Sequence, residues 1–196
     1  MNGNGDELAA RIVDAAVALA EESSWEAVRL HLVAARLGIG LAEIGHHFRE
    51  KDELIDAWFD RADAAMLALA AAEWMPALPP RERLRRLTLA WLDALAVHKR
   101  VTLEMILNKL EPGHVHIQFP AVMRISRTVQ WLREAARLDD HGPRRALAET
   151  ALTAIWLATF TCWLGDDSAD AERTRRFLDR QLALAERAAQ ALPGFA

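Results

Sequence analysis

Apolar residues recur at spacings of three and four along almost the whole chain, and no stretch alternates apolar and polar over strand length. The spacing predicts helices over 6–22, 26–37, 41–47 and 51–74. Leu8, Ile12, Ala15, Ala16 and Leu19 make one stripe on the first. Leu30, Val33, Ala34 and Leu37 turn inward on the second, and Leu54, Ile55, Trp58, Ala62, Met66 and Leu69 share a side of the fourth. Further helices are predicted over 81–99, 101–110, 121–138, 144–164 and 169–192. Asp6 is placed to cap the first helix and Ser23-Ser24 to break it, while Gly38 suits a left-handed helix end. Prolines at 76, 79, 80, 112, 120, 143 and 193 punctuate the remainder, and β-branched residues never cluster. The expected fold class is all-α.

Composition adds little to that picture: 52% hydrophobic and 27% charged residues over 196 positions are ordinary for a globular chain. Cys162 is the single cysteine, which excludes a disulfide framework and a cysteine-based zinc motif. The opening MNGNGDELAARIV carries an acidic pair and lacks the basic-then-apolar order of a signal peptide, so a cytoplasmic protein is expected. The sixteen uncharged residues 150–165 read as a buried helix rather than a membrane span. Charge does change the picture. Net charge is −4, yet residues 1–60 hold five basic and twelve acidic side chains, a local balance of −7.

That imbalance matters because Trp25–Leu54 has the layout of a helix-turn-helix. Two short helices are separated by Gly38-Ile39-Gly40, and a charged step leads into another helix. The N-terminal sixty residues resemble the TetR family of bacterial regulators, through ARIVDAAVALAEESSWEAV, VAARLGI, and the element His46, His47, Phe48 and Lys51 before Asp52-Glu53-Leu54. The resemblance implies an N-terminal DNA-binding domain over 1–55 and a ligand-binding and dimerisation domain over 56–196. It implies that Phe48 anchors the recognition helix, that Lys51 lies close to phosphate, and that Arg29, Gly40, Leu41, Glu43, His46 and His47 form the rest of the DNA surface. Departures from the family pattern weaken the grip. Val28 and Arg29 stand where a capping hydroxyl is usual, Gly40 opens the third helix, and Gly45 replaces the usual phosphate-binding tyrosine. The recognition helix presents Leu41, Ala42, Glu43, Gly45 and His46, whereas bases are more often read by Arg, Lys, Asn or Gln. Glu43 would accept from a cytosine amino group and His46 would donate to phosphate or a base.

A second resemblance pulls elsewhere. RTVQWLREAA at 127–136 and WLGDDSADAERTRRFLDRQL further on are similar to the C-terminal half of COQ9 proteins, lipid-binding accessory proteins of TetR-like fold. The string Asp166, Asp167, Ser168, Asp170, Thr174, Phe177, Leu178, Asp179, Arg180 carries it, and much of that string is compatible with a helix cap. COQ9 proteins bear a further amphipathic membrane-binding helix. Its absence before Ala196 argues against stable membrane insertion.

The chain beyond Pro79-Pro80 is rich in tryptophan. Core packing is the bland reading. The sharper one is an apolar pocket formed by Trp91, His98, Asn108, His116, Phe119, Gln130, Trp131, Trp156 and Phe160. Leu152, Trp163, Phe177, Leu182, Ala185 and Ala189 are expected at a homodimer interface built from the last two helices. His98, His114 and His116 invite a metal, but no carboxylate joins them at firm spacing, so no metal site and no cofactor is expected. Arg81, Arg83, Arg85 and Arg86 read as a solvated face paired with Glu82. Thr150, Thr153, Thr159 and Thr161 sit on an apolar helix, where they can bond backbone carbonyls. No nucleophile elbow, phosphate loop or His-Glu-x-x-His helix is present, so an enzyme is not expected. The sequence therefore predicts a TetR-like regulator of operator DNA tuned by an apolar ligand, with a COQ9-like lipid-binding protein as the alternative.

Overall fold

The computed structural model describes residues 3–109, 115–139 and 141–191, and the side chains of these except residues 3, 4, 115–123 and 143. No strand occurs among them. The helices are α1 (Gly3–Glu22), α2 (Leu30–Leu37), α3 (Leu41–His47), α4 (Lys51–Ala70), α5 (Pro80–Leu95), α6 (Lys99–Lys109), α7 (Val115–Ala135), α8 (Gly142–Leu164) and α9 (Glu172–Ala191), with single 3-10 turns at Met75–Ala77, Ala96–His98 and Ala169–Ala171. Several boundaries differ from the periodicity: α1 begins at Gly3, before the Asp6 expected to cap it, α4 and α5 each end four residues early, and α9 begins three residues late. Helix α2 begins four residues later than its apolar spacing suggests, because Trp25–Val28 closes as a separate turn with Val28 N–H on the Trp25 carbonyl at 3.2 Å. Helix α7 begins at Val115 and carries Pro120 in its second turn. Proline there forfeits one helical hydrogen bond, but its φ already has the helical value.

The chain forms two compact units, Met1–Arg61 with Leu95–Gln118, and Ala62–Ala94 with Phe119–Ala196. In the first, α1 packs on α2, α3 and α6. Its core holds Ile12, Trp25, Val33, Ile44 and Leu54, all fully buried. Polar contacts bind α6 into this unit. Glu104 accepts the Trp25 backbone N–H at 2.6 Å, and the Trp58 indole donates to Thr102 Oγ1 at 3.0 Å. Arg100 donates to the Ala20 and Glu21 carbonyls at 3.0 Å, satisfying the open end of α1. Lys109 pairs with Asp56 at 3.0 Å.

The second unit is built on Leu87, Leu92, Val129, Leu132 and Leu178. Trp91 meets Trp156 and Phe160 edge-to-face with centroids 4.9 and 5.4 Å away, Trp156 and Phe160 stack at 5.3 Å, and Trp163 stacks on Phe160 at 5.8 Å. The arginines of α5 are spent within this unit. Arg83 donates to the Ala136 carbonyl at 2.7 Å, Arg85 pairs with Asp179 at 2.6 Å, Arg81 with Glu186 at 3.1 Å, and Arg86 with Glu82 at 2.7 Å. Thr150, Thr153 and Thr159 donate to carbonyls four residues back, three of the four threonines for which the apolar setting predicted it, while Thr161 is exposed.

Candidate functional site

Helix α2 ends at Gly38, whose φ of 66° and ψ of 30° are left-handed and cheap only for glycine. Its N–H returns to the Ala34 and Ala35 carbonyls. Two residues later Gly40 turns extended and α3 begins. Gly40 has no hydroxyl to cap that helix; instead Glu43 reaches back and accepts the Gly40 N–H at 3.2 Å, half of a capping box. Ile44 is fully buried and Phe48 nearly so, which holds one side of α3 to the core. Leu41, Ala42, Glu43, Gly45 and His46 are exposed on the other. His47 is half-buried and lies beside the Phe48 ring at 6.5 Å.

Three cations of the first unit, Lys51, Arg29 and Arg36, are turned to the protein, while Arg49, two residues past α3, is exposed. Lys51 donates to the Trp25 and Glu26 carbonyls, with Nζ 5.0 Å from the Trp25 ring centroid. Burial, and secondarily the charge of Arg29, lower its pKa from the usual lysine value. Arg29, at the N-terminal edge of α2, donates to the Glu26 and Val28 carbonyls. Arg36 makes a two-pronged bond to Glu22 at 2.9 and 2.6 Å. Several acids are likewise spent: Asp14 meets Arg61, and Glu21 meets His98 at 3.0 Å and Arg100 at 2.9 Å. With α6 included, the first unit holds nine basic and fourteen acidic residues, so its balance is −5 rather than −7.

Residues 12–58 match the family model described as bacterial regulatory proteins of the tetR family. A solved TetR transcriptional regulator from Nitrosomonas europaea is 54% identical over 92% of this chain and 99% of that one, with a TM-score of 0.83. The chain belongs to the TetR family. A TetR regulator from Rhodococcus sp. RHA1 (19% identity, 91% and 96% of the two chains, TM-score 0.68) and PfmR from Thermus thermophilus (21%, 88% and 97%, 0.55) share the fold. Among curated proteins none matches in sequence. Residues 149–189 match the COQ9 family model.

In this TetR-family chain the COQ9-like string forms a corner. Asp166, with no exposed side-chain surface, accepts from the Ser168 N–H and hydroxyl at 3.0 and 2.6 Å and from the Thr174 N–H and hydroxyl at 2.7 and 2.6 Å. One carboxylate thus closes α8 and opens α9. Burial alone would raise its pKa; the four donors outweigh burial and hold it well below the ordinary carboxylate range.

The residues expected around a TetR ligand pocket are dispersed. His98 and Asn108 belong to the first unit, where His98 bonds Glu21 and lies edge-on to Trp58 at 5.7 Å. Trp91, Trp156 and Phe160 meet in the second unit, whereas Gln130 and Trp131 are exposed, Trp131 by 47%. The side chains of His116 and Phe119, and His114 altogether, lie outside the described residues. A polar group absent from the sequence reading lies beside the aromatics: Asp63, buried on α4, accepts from the Trp91 indole at 2.7 Å, Thr128 at 3.0 Å and Arg124 at 3.2 Å. Its partners lie 28 to 65 residues away, so local spacing gave no signal.

Of the residues expected between protomers, Leu152, Trp163 and Leu182 are buried within the chain itself, and Phe177, Ala185 and Ala189 are half-buried. The exposed face of α8 is instead Leu147, Thr150, Ala151, Ala154, Leu157, Ala158 and Thr161. Beside it an apolar groove of about 500 Å³ is lined by Leu84, Leu147, Ala151, Ile155, Ala185 and Ala188, among others, with Arg81 and Glu186 at its rim. Arg144–Leu164 is also long and apolar enough to cross a membrane, and only 22% of its apolar window is buried, so the helix expected to be buried over 150–165 is largely half-buried or exposed.

Proposed function

We propose that this protein is a homodimeric, cytoplasmic transcriptional regulator that binds operator DNA through α3 and is tuned by an apolar small molecule held in the second unit. The observation that carries the reading is the head: a Gly38-closed α2 and a buried-side α3 pinned by Ile44 and Phe48, with the other side of α3 open. In helix-turn-helix proteins that second helix enters the major groove, and a two-fold dimer reads half-sites one helical turn apart. The dimer is supported by the uncharged exposed face of α8, which would bury its leucines and alanines against a second copy. The effector site is supported by the Trp91, Trp156 and Phe160 cluster with the Asp63 network beside it, apolar walls with a few fixed polar groups. Effector binding would act by favouring one of two head spacings. The deciding experiment is fluorescence anisotropy of purified protein on its own upstream DNA across a salt series. Saturable binding that weakens with salt is expected; absence of binding at low salt sinks the proposal.

The COQ9 match over 149–189 favours a second reading, a lipid-binding protein that has left DNA. It is distinguished by native mass spectrometry of the purified protein. A stoichiometric bound lipid, together with no DNA binding, selects this reading.

A further inference from the structure

At its N-terminal turn, the face that α3 leaves open carries two adjacent apolar side chains, with Glu43 and His46 exposed farther along. Leu41 is 53% exposed, Ala42 beside it is exposed, and a methyl built on Gly45 would meet nothing within 4 Å. Glu43 is turned back to the Gly40 N–H, and Arg29, Arg36 and Lys51 donate to groups of the protein. In helix-turn-helix proteins the N-terminal residues of the second helix contact base edges, and here that turn presents Leu41 and Ala42. In the major groove one base group is apolar, the 5-methyl of thymine.

We infer that this chain reads thymine by its methyl group, with Leu41 and Ala42 as the reading side chains. The inference rests on the DNA-binding reading of the head and goes beyond it, naming the base and the chemistry of recognition. Deoxyuridine offers the means to isolate the effect. It pairs with adenine and shows the same groove donors and acceptors as thymine, lacking the methyl alone.

The test begins with in vitro selection from a random duplex pool, using the full-length protein at low salt. The selected duplex is then rebuilt with deoxyuridine at one thymine at a time. At one or two positions per half-site, affinity should fall about fourfold, the factor that burial of one methyl-sized group carries. Leu41→Ala should weaken binding to the thymine duplex and remove the penalty for deoxyuridine at one of those positions, while Leu41→Met keeps it. Because Leu41 is exposed, both variants should fold, which circular dichroism checks. Equal binding of every deoxyuridine duplex overturns the inference while leaving DNA binding intact. So does a deoxyuridine penalty that Leu41→Ala leaves unchanged, since the methyl then acts through duplex stiffness. A selection that enriches no sequence overturns both the inference and the DNA-binding reading beneath it.

Discussion

A buried carboxylate persists only where donors replace its lost water. Asp166 has four such donors and Asp63 three. Asp166→Asn would turn an amide N–H toward donors and should cost about 2–4 kcal/mol in chemical denaturation. The pH dependence has a definite sign. A folded pKa below the unfolded value gives stabilisation that is complete above the unfolded carboxylate pKa of about 3.9 and withdrawn as pH falls below it. The stability gap between wild type and Asp166→Asn should therefore narrow steadily as pH drops from about 5 to 2; a constant gap refutes the assignment. Asp63→Ala removes the shared acceptor of Trp91, Thr128 and Arg124 from the buried network and should cost about 3–5 kcal/mol, with a shifted tryptophan emission.

At the scale of elements, Gly38 is the sharpest test. Its φ is positive and nothing lies within 4 Å of where an added methyl would sit, so Gly38→Ala would strain the backbone without a clash. A loss of about 1 kcal/mol in thermal unfolding is expected; an unchanged midpoint shows that the turn can relax. On α8, Leu157→Asp places a charge on the exposed uncharged face and should convert dimer to monomer in light scattering, with little change in the protomer's helicity. Element by element, the helices were legible from apolar spacing, and Gly38 from its position after a helical stripe. What was not legible was long-range. The pairing of α6 with the head depends on Glu104, Arg100 and Thr102 meeting residues 79, 80 and 44 positions away. Lys51 faces inward because the Trp25–Val28 turn presents carbonyls to it, and that turn was hidden inside what spacing predicts as helix. Leu152 and Leu182 fall on an apolar stripe that serves the chain's own core, which spacing cannot separate from a stripe that serves a partner.

For the molecule as a whole, charge sets the character of binding. The first unit carries a balance of −5, and Arg29, Arg36 and Lys51 already donate to the protein, while Arg49 beside α3 is exposed. Few phosphates would be neutralised, so the slope of log affinity against log salt should be shallow, about −2 to −4 for the bound dimer. A slope near −10 would mean that Arg29, Arg36 and Lys51 swing out on binding. The Asp166 corner has a consequence for classification. Its carboxylate, serine and threonine do a joiner's work between two helices, and that work is indifferent to what either helix binds. Likeness between chains that rests on this string therefore records a shared way of turning the chain, and two proteins can share it while handling entirely different cargo.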